Sequence, residues 1–218
     1  MSPSQVRKAA PFVETAHIPH NKSNEELRQI SQRFAPAPPA RTERTGAGRR
    51  AFIQQRREVF ENPEAGYQST FFDRASGGYV WVHENHNQGD SYQSELFVAK
   101  QLAKEGAEVK LLSERAEPGI PMPDADVDGV VFDFKRLTSA ARDLGKVIQR
   151  DVREARRQGA RAIAFHFDKA SYDAAAINRS IARAFKASDT RITQIIFVVK
   201  EREPIRIIRE EWENGRRL

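Results

Sequence analysis

Apolar positions along the second two-thirds of the chain recur with two alternating periods, two and about 3.6, which predict strands and helices in a definite order. Tyr79-Val-Trp-Val-His-Glu-Asn-His86 follows Gly77-Gly78 and is an aromatic and β-branched run that predicts a strand. Ser91 to Glu105 then has helical spacing, with Asp90 as cap, Gln93 in the reciprocal capping position and Gly106 as the stop. The apolar face of this helix is Leu96, Val98, Ala99, Leu102 and Ala103, and Glu95 falls in the middle of it. A carboxylate on a buried stripe is costly unless it is paired or used.

Glu108 to Ser113 predicts the next strand, followed by a turn-rich loop from Glu114 to Met122. A long helix from Thr138 or Ser139 to Gln158, stopped by Gly159, carries Leu144, Ile148, Val152 and Ala155 on one face. Arg142, Lys146, Arg150, Arg153 and Arg157 lie on the opposite face. Arg161 to Phe167 alternates as a strand, with Ile163, Phe165 and Phe167 on one side and His166 on the other with Ala162 and Ala164. A helix from Ser171 to about Ala187 buries Ile177, Ile181 and Phe185, and two strands close the chain, Gln194 to Lys200 and Ile205 to Arg209. The first of these is continuously apolar and belongs inside a sheet; the second alternates and belongs at an edge. Two helices long enough to be crossovers make some strands parallel, so the pattern predicts an α+β domain with a central mixed β-sheet and flanking helices.

Between these elements lies Pro123-Asp-Ala-Asp-Val-Asp-Gly-Val-Val-Phe-Asp-Phe-Lys135. Asp128-Gly129 between alternating side chains predicts a two-residue type I′ hairpin turn, whose central residues both need positive φ. Counting outward from that turn, Val127 faces Val130 and Asp124 faces Asp133, with Lys135 two residues further along the same face. Directly opposed carboxylates destabilise a strand pair unless a metal, a lysine or a shared proton compensates.

Residues 1–66 differ in composition: seven prolines, Pro3, Pro11, Pro19, Pro36, Pro38, Pro39 and Pro63, are interspersed with arginines. Ala35-Pro-Ala-Pro-Pro-Ala40 reads as an extended linker, and short helices are expected at Ser23–Phe34 and Arg49–Phe60. The expected division is therefore an arm, 1–66, and a domain, 67–218. The absence of cysteine excludes disulfide frameworks, thiolate metal sites and cysteine nucleophiles. No apolar run reaches the length of a membrane span and the N-terminus lacks a secretory core, so cytoplasmic action is expected. A formal charge of +6 and a pI near 9.7 favour a polyanionic partner.

Ser94 to Glu114, then Met122 to Lys135, then a helix ending in Gln158-Gly-Ala160 together resemble the C-terminal nuclease domains of contact-dependent growth-inhibition toxins and related phage and mobile-element proteins. That resemblance covers roughly residues 77–210. It implies an RNase-type domain, usually acting on tRNA, commonly of the barnase–EndoU–colicin–RelE-like fold, with an immunity protein as partner. A second resemblance, to PD-(D/E)xK nucleases, rests on the order helix, three strands, helix, strand with Pro123-Asp124 followed by Asp133-Phe-Lys135. It implies that Asp124 and Asp133 hold Mg2+ or Mn2+, that Lys135 stabilises the attacked phosphate or orients water, and that Glu95 completes the site. Asp133 stands where Glu is commoner, and the strands beside the turn are short.

Two nuclease routes are open at this point. With a cation, RNA or DNA can be cut. Without a cofactor, which is the leading expectation, the 2′-hydroxyl of RNA attacks; Lys135 with Arg136 would stabilise charge, and Asp133, His83, His86 or His166 would carry protons. The expected function is a toxin-like endoribonuclease acting on tRNA or other structured RNA. A metal-dependent endonuclease and a non-catalytic nucleic-acid-binding or virion-associated module are the alternatives. Arg136 and the arginine stripe from Arg142 to Arg157 are the expected nucleic-acid contacts.

Overall fold

The alternating runs pair into one mixed sheet of eight strands that lie side by side in chain order. The computed structural model describes residues 46–113, 122–138, 144–167, 174–189, 191–200 and 202–218. All of these belong to a single compact unit, Phe34–Leu218. The elements are α1 (Gly46–Glu61), β1 (Tyr67–Phe72), β2 (Tyr79–His83), α2 (Tyr92–Lys104), β3 (Glu108–Leu111), β4 (Ala125–Val127), β5 (Val130–Leu137), α3 (Leu144–Arg157), β6 (Ala162–Phe167), α4 (Ala174–Ala187), β7 (Gln194–Val199), β8 (Ile205–Ile208) and α5 (Arg209–Glu213). From β2 to β8 the order is the predicted one. The pattern does not reveal β1, because Gln68, Ser69 and Thr70 are all exposed and no apolar alternation marks it.

Strands β2, β3, β5, β6 and β7 run parallel to one another, and β1, β4 and β8 run against them. The parallel joins β2–β3, β5–β6 and β6–β7 are the ones bridged by α2, α3 and α4, as crossover geometry requires. Strand alternation then divides the core. Val80, Val82, Val109, Leu111, Phe132, Phe134, Ala164 and Val198 face α2, through Val98, Ala99 and Leu102. Ile163, Phe165, Phe167, Ile195 and Phe197 face α3 and α4, through Ile148, Val152, Ile177, Ile181 and Phe185. Burying each of the larger of these side chains contributes about 1.5–3 kcal/mol. The continuously apolar β7 lies inside the sheet and β8 at its edge, as expected.

The hairpin turn has the predicted handedness: Asp128 has φ 51 and Gly129 φ 81, and Val127 pairs with Val130. Gly106, at φ 99, ends α2 with its own N–H donating to Ala103 O at 2.9 Å and Ala107 N–H to Leu102 O at 3.2 Å. The predicted Asp90 cap does not form. The N-cap is Ser91, itself in the helical region and without a side-chain cap bond.

Helix α1 contains the predicted Arg49–Phe60 segment and is laid on the sheet. The Arg56 guanidinium stacks 4.6 Å from the Tyr79 ring, and Trp81 Nε1–H donates to Phe60 O at 3.2 Å. The folded unit thus reaches back at least to Gly46. The predicted helix at Ser23–Phe34, the proline linker and the caps Ser139 and Ser171 lie outside the described residues.

Candidate active site

Five parallel strands end at the same edge of the sheet, where α2 begins and β4 enters. Ligands of sheets with helices on both faces gather outside the carboxyl ends of the strands, so this edge is the place to look for chemistry. Asp124 immediately precedes β4; its N–H donates to Phe132 O at 3.0 Å and its carbonyl accepts from Leu112 N–H at 2.9 Å. Its side chain turns back onto the neighbouring strand, where Oδ2 accepts the Phe134 N–H at 2.6 Å.

Asp133, Lys135 and Leu137 occupy alternate positions on β5 and face α3. Asp133 is fully buried and hydrogen-bonded to the Asp124 carboxyl, the opposition that hairpin counting predicts. Lys135 Nζ lies 3.0 Å from Asp133 Oδ1. Burial, then the charge of Asp124, pushes Asp133 up to about 8, and burial raises Asp124 as well. At neutral pH one proton therefore sits between the two carboxyls, held by Asp133. Burial alone would depress Lys135, but the attraction of Asp133 and Asp124 outweighs it and the net shift is upward. The lysine stays charged.

Two residues of α3 and Gln158 just after its end, none of them predicted as part of the site, close this cluster. Gln158, with its amide nitrogen turned inward, donates to both Asp133 oxygens at 3.1 and 3.2 Å, the orientation that satisfies both groups. Glu154 Oε1 lies 3.9 Å from Lys135 Nζ. Asp151 is buried, held by Arg150 Nη2 at 2.8 Å, and raised by its burial. Residues 151, 154 and 158 lie on one flank of a helix, between the apolar and the arginine faces. That intermediate flank was the available signal, but only the packed helix shows which side it meets.

Glu95, in the first turn of α2, is buried as its place on the apolar stripe requires. Its Oε2 meets His86 Nε2 at 2.9 Å, and His86 Nδ1 meets Leu112 O at 2.7 Å. A carbonyl only accepts, so Nδ1 carries a hydrogen, and the Nε2–Oε2 contact holds a further proton between the ring and the carboxyl. Glu95 is near enough to Asp124 to raise it electrostatically. The four predicted residues Glu95, Asp124, Asp133 and Lys135 are thus gathered at one edge, with His86 behind Glu95.

The other candidates separate. His83 accepts the Asn85 N–H at 3.0 Å and packs edge-on against Tyr67 at 5.0 Å, turned to those neighbours rather than to the carboxyls. His166 bonds Ser94 Oγ through Nδ1 at 2.8 Å and packs tilted against Phe97 at 4.6 Å, on the α2 side of the sheet. Arg136 pairs across the ladder with His166 on that same side. The expected pairing of Arg136 with Lys135 as joint stabiliser is corrected by the period-two strand, which sends consecutive side chains to opposite faces. Lys146, Arg150, Arg153 and Arg157 are exposed on α3 as predicted, and Arg142 lies outside the described residues.

Among the described residues no three His, Asp or Glu side chains form a group that could hold a metal ion, so the carboxyl pair is the available donor set. An open groove of about 570 Å³, lined from β1, β3, β4 and the hairpin turn, holds none of these side chains. It is lined by a neutralising lattice in which Lys110 meets Glu64 at 2.6 Å and Arg56 meets Glu108 at 3.3 Å.

Comparison with known proteins agrees with the toxin resemblance. Residues 121–203 match the family model described as the contact-dependent growth inhibition CdiA C-terminal domain. Over that span, less than half of the chain, the sequence is similar to CdiA-type C-terminal toxin domains. The match takes in Asp124, Asp133, Lys135 and all of α3, β6, α4 and β7, but not Glu95 or α2. It supports a toxin-like function. No curated protein and no solved structure matches the chain. Among the described residues no helix is long and apolar enough to cross a membrane.

Proposed function

We propose that this domain is a toxin-like nuclease that breaks nucleic-acid phosphodiester bonds at Asp124, Asp133 and Lys135, with tRNA or another structured RNA as its substrate. The observation that carries the reading is the buried carboxyl pair with Lys135 Nζ 3.0 Å away, at the carboxyl ends of the parallel strands. The element order α2-β3-β4-β5-α3-β6, with Glu95 on the first helix and Asp133-Phe-Lys135 on the third strand, supports the PD-(D/E)xK arrangement.

Such sites take Mg2+ or Mn2+, and the donor set here suits one. Two buried carboxyls that together keep a proton, because burial outweighs the single charge of Lys135, can exchange it for a divalent cation, and Mg2+ commonly binds through one or two carboxylates plus water and substrate phosphate. Asp124 and Asp133 would hold the ion, which would supply an acidified water and offset charge developing on phosphorus. Lys135 Nζ donates to a non-bridging phosphate oxygen, adding a fixed positive charge where negative charge grows. Gln158 fixes the Asp133 carboxyl, and the His86–Glu95 pair walls the α2 side. The exposed arginines of α3 hold the flanking backbone. An immunity protein that covers this edge would protect the producing cell.

Incubating the purified chain with tRNA and with plasmid DNA, with Mg2+ and with EDTA, tests the reading. RNA cleavage that stops in EDTA and returns with Mg2+ is expected. EDTA-resistant RNA cleavage would replace the cation with attack by the 2′-hydroxyl. Binding without cleavage of either polymer overturns the nuclease reading in favour of a binding module.

A further inference from the structure

Helix α4 presents a second row of cations that the sequence pattern did not single out. Arg179, Arg183 and Lys186 are exposed at i, i+4 and i+7, so they form one stripe on the side opposite buried Ile177, Ile181 and Phe185. None of the three is in an ion pair among the described residues; nearby Asp189 is taken by Arg156 of α3 at 2.9 Å. Helices α3 and α4 pack side by side on the same face of the sheet. The outer surface of the pair therefore carries Lys146, Arg150, Arg153 and Arg157 in one row and Arg179, Arg183 and Lys186 in the next, with Glu154 the exposed carboxylate between the α3 row and Lys135.

The placement of the rows is specific. The flank of α3 that bears Glu154 and is continued by Gln158 meets the site, while Arg156, on the other flank, meets Asp189 in the turn that follows α4. The α4 row thus lies on the far side of α3 from the reacting groups. The α3 row runs ~17 Å and the α4 row ~10 Å along their axes. Packed helices are ~8–10 Å apart, between the ~6 Å minor and ~12 Å major groove widths of a B-form duplex. Two rows so spaced can each follow one phosphate strand of a single groove.

We infer that α3 and α4 together form a cradle for double-helical nucleic acid, one cationic row on each backbone strand, which delivers the strand held by α3 to the Asp124–Asp133–Lys135 edge. This rests on the nuclease reading only for what happens at that edge; the duplex contact stands by itself. Its charge is the sequence-independent kind that positions substrate without reading bases.

The test is equilibrium binding in EDTA of a fluorescein-labelled 20-base-pair B-form DNA duplex and of a 20-nucleotide DNA single strand, each titrated at several salt concentrations. The chain is compared with R179Q/R183Q/K186Q and with the charge-retaining R179K/R183K. Three lost phosphate contacts should lower the slope of log K against log salt on the duplex by ~2–3, and on the single strand, which one row can hold, by less than ~1. The lysine variant should keep the wild-type slope. An unchanged duplex slope overturns the cradle, as does an equal fall on duplex and single strand. Because cleavage is not read, a chain that shows the duplex effect but cuts nothing would sink the nuclease reading and leave this one standing.

Discussion

Replacing Asp133 by Asn keeps the shape of the buried side chain and removes the proton that the carboxyl pair shares. Asp133 is raised from 3.8 to about 8, first by burial and then by the charge of Asp124. An acid raised on folding keeps its proton in the folded chain after the unfolded chain has released it. Its contribution to stability is therefore most favourable below pH ~4, declines as the pH rises towards 8, and is flat beyond. At ~1.4 kcal/mol for each pK unit, the four-unit shift sets a ceiling of ~6 kcal/mol. Exchange of the proton with Asp124 and relaxation around Lys135 bring the expected change to ~2–4 kcal/mol. Urea unfolding of wild type and Asp133→Asn in EDTA, from pH 4 to pH 9, measures it. Any fixed effect of the substitution cancels, and the stability of the variant relative to wild type should rise by that amount between pH 4 and pH 8. A difference that stays constant with pH, or moves the other way, refutes the shared proton. Adding Mg2+ at pH 8 should stabilise wild type more than the variant, since binding to the folded state alone raises its stability.

Lys135→Ala should cut nuclease turnover by at least ~10²-fold while duplex affinity changes little, because a single charge aimed at the phosphate acts mainly in the transition state. His86→Leu leaves buried Glu95 without its 2.9 Å partner and Leu112 O without its donor, and should cost ~3–5 kcal/mol in urea unfolding. Wild-type stability in that variant would show that the pair is not formed. Gly78→Ala brings a Cβ to 2.0 Å from Ala103 O, a backbone atom at the end of α2. It should lower stability by ~3 kcal/mol or more, read as a fall in Tm; a neutral result would mean that α2 ends further from β2.

Much of this was legible in local chemistry. A two-residue turn with positive φ at both positions fixes register, so Asp128-Gly129 alone opposes Asp124 to Asp133. The apolar stripe of α2 singled out Glu95 as a carboxylate that is costly unless paired or used, and the structure buries it. Period two also separates Arg136 from Lys135, a point that charge adjacency along the chain obscured. Strand β1 escaped because its exposed polar residues carry no alternation. The histidines were ambiguous because a histidine's role depends on what stands opposite each ring nitrogen, and those partners, Leu112 with Glu95 and Ser94, come from distant segments.

The sequence by itself determined the element order from β2 to β8, the hairpin register and the company of two carboxylates with a lysine, because each follows from residues close in the chain and from backbone periodicity. Tertiary structure decided what surrounds that group. The parallel crossover sets α3 over β5 so that Gln158 and Glu154 reach Asp133 and Lys135, and the loop after β2 brings His86 to Glu95. It also set α4 beside α3 and so turned one basic stripe into two adjoining rows. Helical spacing places residues around a helix; only packing fixes which flank meets which neighbour.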